Sequence, residues 1–240
     1  MFRRILDRLR AKWATRNAET YVRWLRDQGV RIGEGTKIFA NPRNVFIDPT
    51  RPWLIEIGND VQITSGVKIL THGYDWSVIK GSSGEVLGSA GKVTIGNNCF
   101  IGMNSVILKG ASIGDNVIIG AGSIVGGIIP SNSVAVGNPA KVIYSLDEYR
   151  QKRIRAQKFE ARELVLEYYK VYKKLPDESI LAEFFWLFSS RESIHNPAFI
   201  QKMNCVRNYD YSINVFMKTE SEFKTYNDFL KYCFDGNLPK

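Results

Sequence analysis

Residues 95–143 read IGNNCFIGMNSVILKGASIGDNVIIGAGSIVGGIIPSNSVAVGNPAKVI. Within them Ile95, Ile101, Ile107, Ile113, Ile119 and Val125 follow one another at intervals of six without a slip. Glycine comes next at Gly96, Gly102, Gly114, Gly120 and Gly126, with Leu108 as the exception. Four positions after each aliphatic stand Cys99, Ser105, Ala111, Val117, Ser123 and Ile129, mostly small residues. Ile57, Ile63 and Ile69 keep the same spacing upstream, and Ile32 and Ile38 begin it. A helix repeats every 3.6 residues and a half-exposed strand every two. A period of six instead suits a chain turning in short straight segments, each placing one aliphatic and one small residue inward. Three segments close a triangular coil of about eighteen residues, and stacked coils make a parallel β-helix around an aliphatic column. Gly96-Asn97-Asn98 and Gly114-Asp115-Asn116 supply corner conformations that β-branched residues resist.

This stretch resembles the body of the galactoside and maltose O-acetyltransferases among the hexapeptide-repeat transferases. It resembles even more the sugar O-acetyltransferases of bacterial surface-polysaccharide biosynthesis. The likeness covers about residues 30–145, and the terminal segments fall outside it. The resemblance implies a mainly β chain built on a left-handed parallel β-helix, acetyl-CoA as acyl donor, a saccharide hydroxyl as acceptor, and no metal. It also implies a homotrimer with three composite sites, His72 of one subunit facing a CoA groove formed with its neighbour.

A sugar hydroxyl is almost wholly un-ionised at neutral pH, so acyl transfer to it needs a base. Histidine, with a reference pKa of about 6.5, suits that task. His72 lies in ILTHGYDW, just after the hexads ending at Ile69 and just before the long non-repeating stretch Gly73–Gly91, which must loop outward from a rigid coil. Thr71-His72 matches the context of the base in the resembled family, which makes His72 the general base. Asp75 is close enough in sequence to orient His72 or an acceptor hydroxyl, and Tyr74 and Trp76 offer an apolar face to a sugar ring. By position in the family motif, Phe100-Ile101-Gly102-Met103 supplies the oxyanion's backbone N–H, and Gly102, Met103, Gly120 and Ala121 line the CoA arm. The family commonly carries Thr-Lys where Gly126-Gly127 stands. Gly127 is therefore placed on that lining without the expected cation, and Lys141, with Lys109 and Lys152 behind it, is left to meet the nucleotide phosphates.

Residues 1–28 read as a basic amphipathic helical segment. Phe2, Ile5, Leu6, Leu9 and Trp13 fall on one face, with arginine and lysine around the rest. Such a helix either covers the open end of the coil or lies on an anionic membrane, where residues 1–13 would make peripheral contact. The β-helix domain occupies 29–145, with an external loop at 73–91, and 146–240 form an α-helical extension. There LDEYRQKRIRAQKFEARELVLEYYKVYKKL reads as a long helix ended by Pro176. Asp177 or Ser179 caps a following helix over ILAEFFWLF, and ESEFKTYNDFLKYCF is helical again. Phe184, Phe185, Trp186 and Phe188 read as core. His195 is assigned no task, and the extension serves acceptor recognition or oligomerisation.

The chain has 240 residues and a formal charge of +9. The first 31 residues hold nine basic residues against three acidic ones, so the excess sits in a terminal helix rather than a groove. With no nucleic-acid motif, that distribution argues against a nucleic-acid binder. Cys99, Cys205 and Cys233 form neither a disulfide framework nor a zinc set. With only His72 and His195 a multi-histidine metal centre is excluded. No secretory or membrane-spanning run is present, which places the protein in the cytoplasm, at most peripheral to the inner membrane. The competing readings are an N-acyltransferase of an amino-sugar nucleotide, an acetyltransferase acting on serine or an antibiotic, and a non-catalytic β-helix scaffold. His72 counts against the scaffold.

Overall fold

The structure is a computed structural model that describes residues 14–191 and 194–239. Its chain divides into two compact units, residues 1–149 and 150–240.

The first unit is the coil. Its strands are β1 (Arg31–Ile32), β2 (Lys37–Ile38), β3 (Phe46–Ile47), β4 (Ile55–Ile57), β5 (Gln62–Ile63), β6 (Lys68–Ile69), β7 (Val93–Ile95) and β8 (Phe100–Ile101). They continue with β9 (Val106–Ile107), β10 (Ser112–Ile113), β11 (Ile118–Ile119), β12 (Ile124–Val125), β13 (Ile128–Ile129), β14 (Ser133–Val136) and β15 (Lys141–Ser145). Three sheets result: A, in the order β1-β4-β7-β10-β13; B, in the order β15-β14-β11-β8-β5-β2; and C, in the order β12-β9-β6-β3. All pairings are parallel except β14 with β15. The chain visits A, B and C in turn, which is the triangular coil the hexads require.

The periodic residues do what their spacing demands. Ile95, Ile101, Ile107, Ile113, Ile119 and Val125 are buried, and so are Cys99, Ser105, Ala111, Val117 and Ser123. Each buried Ile contributes on the order of 1.5–3 kcal/mol of burial free energy. Ile129 departs from its expected place among the small residues. It pairs with Ile113 as the aliphatic of β13, so the last coil is two residues shorter than the regular ones.

Helix α1 (Ala18–Gln28) begins at Asn17, whose side chain accepts from Thr20 N–H, and ends at Gly29 in the left-handed conformation. Tyr21, Val22 and Leu25 join the aliphatic column of the coil, so this segment covers its N-terminal end. The amphipathic face of residues 1–13 lies outside the described residues. The expected loop 73–91 contains a helix, α2 (Trp76–Ser83), none of whose residues is buried.

The long helix α3 (Leu146–Tyr172) follows β15. In the second unit, the helix expected over ILAEFFWLF is replaced by two 3-10 turns, Glu178–Leu181 and Phe185–Leu187. Phe185, Leu187 and Phe188 are buried, and Phe184 and Trp186 are partly so. A helix presents one stripe inward, and five neighbouring residues that all seek burial cannot share one stripe. Asp177 caps the first turn through Ser179 N–H. Helices α4 (Pro197–Met203), α5 (Tyr209–Lys218) and α6 (Tyr226–Cys233) complete the aromatic core.

Candidate functional site

The three corners of the coil differ in what holds them. At the A–B corner, side chains form ladders. Asn98 Nδ2 donates to Asn116 Oδ1 and Asn116 Nδ2 to Asn132 Oδ1, at 2.8 and 2.9 Å. Asn59 and Asn97 donate likewise to the next rung, ending on Asp115. Asn98, Asn116 and Asn132 sit at positive φ, which asparagine tolerates better than most residues.

At the B–C corner the main chain does the work. Gly122 N–H donates to Met103 O at 2.7 Å, and Asn104 N–H to Ser65 O at 2.9 Å. A Cβ on Gly102 would lie 2.5 Å from Ala121 N, and one on Gly120 would lie 2.6 Å from Val136 Cγ1. Gly102 is therefore required by coil stacking itself, and Gly120 seats the Val136 side chain. Within the segment expected to supply the oxyanion's N–H, the Gly102 amide donates to Ile119 O at 2.8 Å and the Phe100 amide to Val117 O. The Met103 N–H, by contrast, donates to no group among the described residues, and the Met103 side chain is exposed.

The C–A corner carries His72. Strand β6 delivers buried Thr71 and then His72, which bridges to Ala90 at the foot of the external loop. Its Nδ1 lies 2.8 Å from Oδ2 of Asp48, a carboxylate whose side chain is only 2% exposed. Asp48 follows β3, one coil earlier, and its N–H donates to Ile69 O. Five hydrogen bonds reach this carboxylate: from the N–H and Oγ1 of Thr50, from the N–H and Oγ1 of Thr71, and from His72 Nδ1. Burial alone would raise the Asp48 carboxyl, but these bonds from Thr71, Thr50 and His72 together outweigh it and hold it well below the usual carboxylate range. The group stays ionised and can only accept. Nδ1 therefore carries the proton and Nε2 the lone pair, the tautomer a general base needs.

Tyr74 stacks edge-on against the His72 ring at 5.6 Å, and Trp76 lies 6.1 Å beyond Tyr74. Asp75 is elsewhere. Its carboxylate lies over Gly73, where a Cβ would come within 2.3 Å of Oδ1, and the carboxylate bonded to His72 is Asp48. Sequence reasoning missed Asp48. Lys109 donates to Ser89 Oγ at the foot of the loop. Gly127 also falls at the C–A corner, where a Cβ would meet nothing within 4 Å. Lys141 is exposed on β15 and makes no ion pair among the described residues, while Lys152 lies on α3. One chain thus separates the expected base from most of the residues expected to bind the donor. Met103, Gly120 and Ala121 stand at one corner, His72 and Gly127 at another.

Residues 92–127 match the family described as bacterial transferase hexapeptide (six repeats). Protein CapG of Staphylococcus aureus is 42% identical over 128 residues, covering 53% of this chain and 73% of that protein. The chain belongs to the bacterial hexapeptide transferases. Its fold is accordingly the left-handed parallel β-helix, and it is an enzyme of the transferase class. The galactoside O-acetyltransferase of Escherichia coli K12 is 37% identical over 120 residues, half of this hexapeptide transferase but only 57% of its relative's own length. The crystal structure of a maltose O-acetyltransferase from Clostridium difficile 630 aligns with 53% of this chain and 75% of that one, at 31% identity and a TM-score of 0.37. Among the described residues, no helix is long and apolar enough to cross a membrane.

Proposed function

We propose that this transferase moves the acetyl group of acetyl-CoA to a hydroxyl of a saccharide, in bacterial surface-polysaccharide biosynthesis, with His72 as general base. The observation that carries the reading is the Asp48–His72 pair. A buried, multiply bonded carboxylate fixes the imidazole with Nε2 free. The acceptor oxygen attacks the thioester carbonyl as Nε2 takes its proton, and Asp48 stabilises the imidazolium that forms. The Met103 N–H is the donor available for the oxyanion. Collapse of the tetrahedral intermediate expels the CoA thiolate, which recovers the proton from His72. The galactoside O-acetyltransferase among the relatives supports a sugar hydroxyl as acceptor.

His72 and Met103 occupy different corners of one coil, so the reading requires a second copy whose B–C corner faces the first copy's C–A corner. Three copies close such a ring, and this homotrimer holds three sites. Gly127, at the same corner as His72 but two coils further on, then faces Gly120 and Ala121 of the neighbour across one groove, with Lys141 left for the donor's phosphates. Tyr74, Asp75 and Trp76 border the acceptor. Use of acetyl-CoA places the reaction in the cytoplasm.

The test is thiol release from acetyl-CoA by purified protein across a panel of sugars, amino sugars and oligosaccharides. The His72→Ala variant, with an unchanged melting curve, should lose nearly all turnover. Full turnover in that variant would refute the mechanism, and release only with amino sugars would move the acceptor atom from oxygen to nitrogen.

A further inference from the structure

The second unit carries a cavity of about 290 Å³, open on one side, that the transfer chemistry does not use. Its apolar walls are Phe188, Phe199 and Tyr226. The walls are held in place from behind. Arg191 donates to the carbonyls of Trp186, Ser189 and Thr219, at 2.7, 2.7 and 2.9 Å, while its guanidinium lies 4.1 Å from the Phe216 ring centroid. Phe223 N–H ties the opposite strand of chain to Leu187 O at 2.9 Å, and Tyr226 Oη donates to Pro176 O at 2.8 Å. The cavity is therefore formed before anything enters it.

Two charged groups also line it, the Glu178 carboxylate and the Lys224 ammonium. Neither side chain makes a hydrogen bond or ion pair with a described residue, so both are open to a ligand. An acceptor-only group and a donor-only group facing one space, over aromatic walls, suit a ligand that presents hydroxyls able both to donate and to accept beside apolar C–H faces. A sugar ring has that chemistry, and the volume admits one ring rather than an oligosaccharide.

We infer that the cavity bounded by Phe188, Phe199, Tyr226, Glu178 and Lys224 is a saccharide-binding site, which holds one sugar unit of the acceptor away from the reacting hydroxyl. This deepens the proposed function and rests on its reading of the acceptor as a saccharide. Binding at a distance from the reaction supplies affinity that can be used to position the acceptor.

The test uses the full-length chain and methyl glycosides of glucose, galactose, N-acetylglucosamine and glucuronic acid, each carrying a diazirine. Photolysis followed by peptide mapping should give adducts on the peptides containing Phe188–Ser190 or Lys224–Tyr226. The rim variants Glu178→Gln and Lys224→Gln, with melting curves unchanged, should lower these adducts at least tenfold. Adducts confined to the coil, no adducts at all, or extension adducts unaltered in both variants would overturn the inference. His72→Ala separates the two claims, because it should abolish thiol release and keep the extension adducts. Adducts without thiol release on any sugar would remove the proposed function and leave this site standing. Thiol release without extension adducts would do the reverse.

Discussion

The A–B and C–A corners are built from the same coil, yet they use polar side chains to opposite ends. At the A–B corner Asn98, Asn116 and Asn132 hand hydrogen bonds upward, rung to rung, so that the middle amide is bonded at both ends. At the C–A corner Asp48 gathers five bonds onto one buried carboxylate, and their net effect is to hold a single imidazole with one nitrogen outside the network. A satisfied ladder stabilises. A network that satisfies all but one atom prepares that atom for a ligand. The difference teaches where to look on a repetitive scaffold: at the corner whose hydrogen bonds do not repeat.

The comparison can be broken most sharply at His72. Replacing it by alanine should cut thiol release by about 10³-fold or more, the scale of losing a positioned base, and leave the melting temperature almost unmoved. Asp48→Asn should act on both properties. Turnover should fall by about 10²–10⁴-fold, because the amide no longer enforces the tautomer or stabilises the imidazolium. Stability at pH 7 should fall too, by roughly 1–3 kcal/mol. The sign of its pH dependence follows from the lowered Asp48 carboxyl: the stabilisation is complete above the unfolded value of about 4 and is lost as pH falls towards the folded one. The gap in melting temperature between wild type and Asp48→Asn should therefore narrow below about pH 4. A gap constant from pH 7 to pH 3 would show that the carboxylate's charge is not what the network holds.

At the other corner, Asn116→Ala should cost about 1–3 kcal/mol in chemical denaturation, from the broken ladder and an alanine forced to positive φ, with turnover retained. Asn116→Gly should recover the backbone share. The smallest effect is expected at Asp75. Its replacement by asparagine should change kcat less than about threefold, since Asp48 already orients the base, and any larger fall would return the orienting role to the loop.

The coil was legible because its period is strict. Six aliphatics from Ile95 to Val125 leave one way to bury them all, and the triangular parallel β-helix followed, its left hand being what the family resemblance implied. Asp48 was not legible because its partner is a neighbour in space and not in the pattern. Ile38 and Ile47 are nine residues apart, so the first coil carries an insertion, and only the observed register of Ile47 with Ile69 places Asp48 beneath Thr71 and His72. Helix α2 left no trace for a related reason: none of its residues is buried, so WSVIKGSS carries no apolar stripe to read. In the second unit, Phe184 to Phe188 announced a core correctly. The same density of aromatics hid the backbone, because residues that all turn inward select tight turns over a helix with one inner face.

The pair β14 and β15 has a consequence for assembly at the coil's end. A stack of parallel rungs offers its last rung as a template for another rung, from the same chain or a different one, and repetition of that step makes a fibre. Here Lys141–Ser145 runs back along Ser133–Val136 with an irregularity between Val134 and Ala135, and it occupies the free ladder of sheet B in the opposite direction. A newcomer arriving in the coil's own sense finds that docking row already taken. The short returning strand thus acts as a terminator for sheet B at this end of the coil.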